Sequence, residues 1–191
     1  MKHTVAALVE DRPGVLNRVA SLFRRRGFNI DSLAVGTTEE PGISRMTIVV
    51  DGAEGIAQQV ERQLDKLIDV VTVEDLTALE TVDRELALIK VAARPDQRRE
   101  ILDVIDIFRA QVVDVSTTTL VVQLTAAAST LDALIENLRP YGIREMVRTG
   151  RIALARGAKT TAIHEHEAEE SKRFHHESGR LPEGDLPFVS K

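Results

Sequence analysis

The sequence predicts an α+β fold in which two similar βαββαβ units follow one another. Short apolar stretches of strand length alternate with stretches whose apolar residues recur at helical spacing. The order strand, helix, strand, strand, helix, strand occurs twice, and after Gly157 the pattern gives way to polar and charged sequence. We therefore expect domains over residues 1–77 and 78–157, followed by a polar, disordered tail over residues 158–191.

The first unit begins with an apolar strand from Thr4 to Val9 and continues with a helix that buries one face. The apolar residues that predict this helix are Val15, Leu16, Val19, Leu22 and Phe23. Gly27 suits the left-handed residue that ends a helix, and the three preceding arginines complement the helix dipole. Strands over 28–37, 44–50 and 70–76 complete the unit, with a second helix marked by Ile56, Val60, Leu64, Leu67 and Ile68.

The second unit repeats this order. Its predicted strands cover residues 85–92, 112–115, 119–124 and 143–148. Its predicted helices carry apolar residues at Ile101, Leu102, Ile105 and Phe108, and at Leu131, Leu134, Ile135 and Leu138, the latter helix ending at Pro140. This is the order of the ferredoxin-like fold, in which two helices cover one face of a four-stranded antiparallel sheet. Because the other sheet face is left open, it needs a partner: two such units of one chain, or of two chains, could pair through sheets or helices, and we expect an oligomer.

Composition excludes several classes of function. The 191 residues carry 25 Lys and Arg against 30 Asp and Glu, a net charge of -5, whereas nucleic-acid binding favours a basic surface. The absence of cysteine excludes disulfides, thiolate nucleophiles and cysteine metal sites. No apolar run reaches the roughly 20 residues of a membrane span. We expect a cytoplasmic protein with neither a nucleic-acid nor a membrane partner.

Two further functions have weak support. A self-sufficient enzyme is disfavoured because nucleotide-binding and nucleophile motifs are missing, and the tail run from His164 to Glu167 lacks the HExxH spacing of a zinc enzyme. An RNA-recognition module shares the βαββαβ order but stacks bases on sheet aromatics, and aromatics are only 3% of this chain. We therefore predict no catalytic residue, metal ion or cofactor in this chain.

The turn between the first strand and the first helix is the best candidate for a binding site. If Asp11 caps the helix and Pro13 lies in its first turn, backbone N–H groups point outward from the positive end of the dipole, at Gly14, Val15 and Leu16. Because Gly14 has no side chain, a ligand carboxylate can approach that backbone closely.

An amino acid would also need an acceptor for its ammonium group. The carboxylate of Asp11 and the amide oxygen of Asn29, at the start of the second strand, are the candidates. The alternative is that Asp11 only caps the helix and that Asn29 is only a turn residue after Gly27. The residues alone leave both interpretations open.

A family resemblance favours the binding interpretation. Residues 10–33, EDRPGVLNRVASLFRRRGFNIDSL, followed by SRMTIVV at 44–50, resemble the ACT domain of the small regulatory subunits of acetolactate (acetohydroxyacid) synthase. The stretches IFRAQVVDVSTTTLVVQLTA at 107–126 and RTGRIALARG at 148–157 resemble the C-terminal domain of the same subunits. The resemblance runs over residues 1–157 in the order of that family.

The resemblance implies a noncatalytic subunit. It would activate a large catalytic subunit that carries thiamine diphosphate, Mg²⁺ and FAD and forms 2-acetolactate from two pyruvates with release of CO2. It would also confer feedback inhibition by valine or a related amino acid in branched-chain amino acid biosynthesis. The alternative is an amino-acid-sensing ACT protein that regulates a different enzyme.

The resemblance also implies a homodimer formed through the ACT domains, with the effector bound between the two chains. The positions carried over are Asp11, Gly14, Val15 and Leu16 on one side, and Asn29 and Ile30 on the other. One departure matters, because the position of Asp11 is often Asn in the family. An Asp there attracts an ammonium group and repels a carboxylate, so the sign of its effect on affinity stays open.

Overall fold

The computed structural model describes residues 1–161, which contain two antiparallel sheets. The first half contains β1 (Lys2–Glu10), α1 (Val15–Arg26), β2 (Asn29–Thr37), β3 (Ile43–Asp51), α2 (Ile56–Leu64) and β4 (Val70–Asp75). The second half contains β5 (Thr81–Ala92), α3 (Arg98–Ile107), β6 (Gln111–Val115), β7 (Thr119–Ala126), α4 (Ala128–Leu138), β8 (Ile143–Arg148) and β9 (Ile152–Ala155). The prediction of two βαββαβ units in tandem is confirmed.

The first sheet has the strand order β2-β3-β1-β4, so β2 and β4 are its edges. Alternate residues of β1 and β3 point toward the two helices, as a half-buried strand requires. They form one apolar core with α1 and α2, whose fully buried members include Val5, Ala7, Phe23, Ile48, Val50, Val60 and Leu64. This core holds the β1–α1 turn at one end of the sheet.

The second sheet has the matching order β6-β7-β5-β8. Its helical face is closed by α3 and α4 around a separate core, which includes Ile89, Val91, Ile101, Leu120, Val122, Leu131, Leu134 and Leu138. The two units therefore bury separate apolar clusters on their helical faces, as two sheets of the same topology would.

Two details of the predicted helices in the first unit are wrong. The buried residues of α1 are Val15, Val19, Leu22 and Phe23, and Leu16 is 47% exposed because it lies about 100° around the helix from Val15. Helix α2 ends at Leu64, and Ile68 lies beyond it with 83% of its surface exposed. The predicted end of α1 is confirmed, since Gly27 adopts a left-handed φ of 69°.

The outer face of the first sheet is covered from within the same chain, which is one of the two pairings that the sequence left open. Residues Thr81–Arg84, the start of β5, pair with β9 to form a two-stranded ribbon. This ribbon packs on the outer face of the first sheet, where Ala6 of β1 and Ala153 of β9 are buried in one cluster with Leu76. The Arg45 guanidinium donates a hydrogen bond to the Ala153 carbonyl at 3.1 Å. The second unit therefore covers much of the first sheet.

The segment that follows β9 also contacts the first sheet. The Lys159 ammonium lies 2.7 Å from a Glu74 carboxylate oxygen, and the Thr161 hydroxyl donates to the same carboxylate at 2.6 Å. Burial raises the pKa of Glu74, but these two hydrogen bonds, together with the positive charges of Lys159 and Arg45, leave that pKa lowered. The predicted tail thus begins with ordered contacts, and the rest of it, residues 162–191, lies outside the described residues.

Candidate functional site

The β1–α1 turn exposes the start of a helix. Helix α1 begins at Val15, and Gly14 is its N-cap with φ 92°, a left-handed conformation that favours glycine. No side chain caps the helix, so the prediction that Asp11 is the cap is wrong. Asp11 lies three residues too early, and its backbone N–H donates to the Gly42 carbonyl at 2.7 Å. Pro13 precedes the helix instead of lying in its first turn.

The backbone donors at this helix end differ from one another. The Val15 N–H makes a long contact of 3.4 Å to the Arg12 carbonyl, and the Val15 side chain is buried in the core. The N–H groups of Gly14 and Leu16 have no hydrogen-bond partner within residues 1–161. No acidic residue lies in the first turn of α1, so nothing there offsets the positive end of the dipole. The turn can therefore accept an anion at Gly14 and Leu16.

An ion pair that the sequence analysis missed holds this helix in place. The Arg18 Nε lies 2.7 Å from Asp69 Oδ2, and an Arg18 terminal nitrogen donates to Asp69 Oδ1 at 3.1 Å. Asp69 is only 4% exposed, and its carbonyl accepts the Glu10 N–H at 2.9 Å. This one residue thus links the end of β1, the first turns of α1 and the start of β4. No sequence pattern reveals it, since the partners are 51 positions apart.

The other predicted site residues lie at the opposite end of the sheet. Asn29 begins β2, is exposed, and pairs with Asp51, which in turn pairs with Lys2 at the start of β1. Ile30 follows it and packs partly against the core. Gly14 instead follows the far end of β1. Nine strand residues span roughly 27 Å, so a single chain does not bring the two groups of residues together.

The far end of β2 reaches the β1–α1 turn. Thr37, the last residue of β2, pairs with Ser44, and Ser44 pairs with Val9 just before the turn. Strand β2 is an edge of the first sheet, and its outer side is unpaired within the described residues. An edge strand of this kind presents free backbone donors and acceptors to another strand.

A polar cavity of about 410 Å³ lies between the two units, close to the start of β2. Every charged side chain that lines it has an ionic partner within residues 1–161, and the pairs include Lys2 with Asp31 and Arg148 with Asp132. Burial alone would lower the pKa of Arg148, but hydrogen bonds to Asp132 and Glu85 raise it. The cavity therefore offers no unpaired charge to a ligand.

Two other kinds of feature are absent from residues 1–161. That part of the chain contains no cluster of three or more His, Cys, Asp or Glu side chains that could hold a metal ion. None of its helices is both long enough and apolar enough to cross a membrane.

Comparison with known proteins decides the family. Residues 5–72 match the model of the AHAS small subunit-like ACT domain, and residues 84–157 match the model of the small subunit of acetolactate synthase. The probable acetolactate synthase small subunit of Archaeoglobus fulgidus is 52% identical over 159 residues, which cover 83% of this chain and 99% of that protein. The chain belongs to the acetolactate synthase small-subunit family.

Other members of this small-subunit family support the same placement. The Bacillus subtilis acetolactate synthase small subunit is 49% identical over 163 residues, which cover 85% of this chain and 95% of the relative. The crystal structure of the small subunit from Thermotoga maritima aligns with a TM-score of 0.76 and 40% identity, and the alignment covers 83% of this chain and 99% of that one. As a small subunit, the chain has a catalytic large subunit as its partner and is a regulatory component of that enzyme.

Proposed function

We propose that this small subunit binds a branched-chain amino acid, valine first among them, between two copies of the chain. In doing so it controls the catalytic large subunit, which it also activates. The observation that carries the proposal is the placement of the two groups of predicted residues at opposite ends of β2. Antiparallel pairing of β2 with β2 of a second copy moves the start of one strand to the end of the other. Asn29 of the second copy then lies beside the β1–α1 turn.

The chemistry of the turn suits the carboxylate of an amino acid. The N–H groups of Gly14 and Leu16 and the positive end of α1 stabilise a negative charge. The glycine leaves the approach open, since no atom lies within 4 Å of the position that a Cβ would take. The Asn29 amide oxygen of the second copy and the exposed Asp11 carboxylate are acceptors for the ammonium group.

The apolar part of the effector would lie against Leu16 and against Ile30 of the second copy. Leu16 is 47% exposed in the single chain and is free to cover an isopropyl group. One methylene contributes about 0.8 kcal/mol on burial, which is roughly a fourfold difference in affinity. Valine and isoleucine are therefore separated only modestly by this contact, and we expect related amino acids to compete.

Regulation follows from the need for two chains. An effector that binds the paired chains more tightly than the separate chains shifts the equilibrium toward pairing. The size of the shift is set by the difference between those two affinities. A coupling of about 1–3 kcal/mol is typical of such links. The chemistry itself belongs to the catalytic subunit, which is where thiamine diphosphate, Mg²⁺ and FAD would be held. This chain contributes binding and positioning, and the assembly works in the cytoplasm.

The test is acetolactate formation from pyruvate by the cognate large subunit, with and without this chain, across a valine titration. Stimulation by the chain together with inhibition by valine supports both parts of the proposal. Stimulation without inhibition retains the activating role and overturns the effector site. If neither occurs, the chain does not regulate this enzyme.

A further inference from the structure

Three large aliphatic side chains of the ribbon are exposed beside the free edge of β2. They are Val82 (41% exposed), Ile152 (58%) and Leu154 (61%). All three line one cavity of about 380 Å³, which has residues 34–37 of β2 on one side and the ribbon on the other. We call these three side chains the ribbon patch. Clustered exposed aliphatics of this kind mark an interaction surface more often than a solvated one.

The alternation along β9 shows that the patch is not needed to hold the ribbon on its own sheet. Ala153 points toward the first sheet and is 4% exposed, and its carbonyl accepts the hydrogen bond from Arg45. Ile152 and Leu154, its neighbours on the strand, point to the other face, since successive strand residues alternate. They pair with Arg84 and Val82 of β5. The small residue thus contacts the chain itself, and the large ones face outward.

We propose that a second copy of this chain covers the ribbon patch, so that the C-terminal half helps to hold the dimer together. This inference rests on the pairing of β2 strands proposed above. It extends the dimer interface to residues of the second unit. Neither the effector site nor the pairing of the β2 strands requires those residues. The occupant follows from continuity, because residues 34–37 form both the free edge of β2 and one wall of the cavity.

Twofold symmetry places the ribbons of both chains next to the paired β2 strands. Two identical edge strands pair antiparallel about a twofold axis perpendicular to the sheet, and that axis keeps the helices of both chains on one side. Both ribbons then lie on the other side and flank the joined β2 strands. Leu154 lies 140 positions after Gly14 in the chain, yet it would help to determine whether the effector site is assembled.

The first test is the dimer dissociation constant of the full chain, measured by sedimentation equilibrium for Leu154→Asp. We expect a rise of about 100-fold, because the substitution occurs twice in a symmetric dimer and each copy contributes about tenfold. The matched control is Ile68→Asp, a large aliphatic that is 83% exposed and lies outside the patch. This control should stay within about threefold of the unmodified chain.

A second measurement does not depend on disrupting the dimer. The chain contains no cysteine, so Leu154→Cys introduces a unique thiol whose reaction rate reports burial. We expect its alkylation rate to fall at least about tenfold, in proportion to the dimer fraction, as protein concentration rises through the dissociation constant. Ile68→Cys should react at the same rate at every concentration.

The outcomes separate this inference from the proposal on which it rests. If Leu154→Asp dimerises like the unmodified chain and the thiol of Leu154→Cys stays reactive in the dimer, the ribbon patch is not part of the interface, and pairing through β2 stands. If the unmodified chain remains monomeric at every concentration, with and without valine, both are overturned. Weakened dimerisation of Leu154→Asp with a normal Ile68→Asp control supports the inference.

Discussion

The two units place a strand-to-helix turn at the same point of the repeat, and the two turns differ in what they leave open. Both contain an Arg-Pro pair, at residues 12–13 and 94–95. In the first unit the helix begins after a left-handed Gly14, and no side chain caps it. In the second, Gln97 is the N-cap with φ -101° and also makes no capping hydrogen bond with its side chain, but Glu100 lies in the first turn.

The second turn is also closed by its own side chains. The Arg98 guanidinium donates to the carbonyls of Ala93, Ser116 and Thr117 at 3.2, 2.8 and 3.0 Å. The carboxylate of Glu100 offsets the helix dipole from within the chain. The same fold therefore provides one helix end whose dipole is offset by an acidic residue of its own first turn and one whose first turn contains no acidic residue. The topology of the repeat allows an anion site, and a few residues at the turn decide whether it exists.

The largest expected effect comes from closing the first turn with a charge. Gly14→Asp places a carboxylate where the effector's own carboxylate would bind. Because opposed like charges cost several kcal/mol, we expect the apparent valine inhibition constant to rise at least about 100-fold. Stimulation of the catalytic subunit should be largely kept. The measurement is acetolactate formation across a valine titration.

Two matched variants separate charge from backbone strain. Gly14→Ala imposes the same left-handed strain, about 1–2 kcal/mol, without a charge, and meets no atom within 4 Å. It should lower stability and stay valine-sensitive. Gln97→Asp puts a carboxylate at the equivalent position of the second unit and should leave the valine response unchanged. If the catalytic subunit remains fully valine-sensitive in the presence of the Gly14→Asp chain, the effector binds elsewhere.

Periodicity predicted most of the fold and missed the contact between the units. The helical faces and strand order follow from spacings such as Val15, Val19 and Leu22, which are set locally. The ribbon is different. Strand β9 has only four residues, and it pairs with the start of β5, about 70 positions earlier in the chain. Nothing local in either stretch specifies that pairing, so the sequence predicts that an open sheet face needs a partner but not which strands cover it.

The sequence predicted the open glycine backbone of the candidate site but neither the residue at the N-cap nor the ion pair that holds the helix. A glycine after Arg-Pro indicated an open backbone, and the structure places that glycine at the N-cap itself. Asp11 is the cap that the sequence suggests, because aspartate is a common capping residue. Asp69 has no signal in the sequence, because its role depends on tertiary contacts to Arg18 and Glu10. Whether the site residues bind an effector stays a prediction.

A smaller effect is expected from loosening the helix that carries the open turn. Asp69→Ala removes both contacts to Arg18, and we expect a loss of about 1–3 kcal/mol in the free energy of unfolding. The apparent valine affinity should also fall, since the donors at Gly14 and Leu16 lose their fixed position. Thermal unfolding and a valine titration measure the two effects.

The corresponding variant of the second unit tests whether this effect is local. Arg98→Ala removes the hydrogen bonds to three carbonyls that hold the second turn. It should reduce stability by a similar amount and leave the valine response unchanged. If Asp69→Ala lowers the melting temperature while valine inhibition keeps its midpoint, the position of α1 does not define the effector site.

The smallest effect is expected when α1 is given the acidic residue that α3 already has in its first turn. This change uses the comparison of the two units most directly. Asn17 is the third residue of α1, as Glu100 is of α3. Asn17→Glu should stabilise the chain by about 0.3–1 kcal/mol, because the carboxylate complements the dipole. The same carboxylate competes with a bound anion, so the apparent valine constant should rise by about two- to fivefold. Glu100→Gln should lower stability by a similar amount without any change in valine response. Tighter valine binding in Asn17→Glu would mean that the helix end meets the ammonium group of the effector and not its carboxylate.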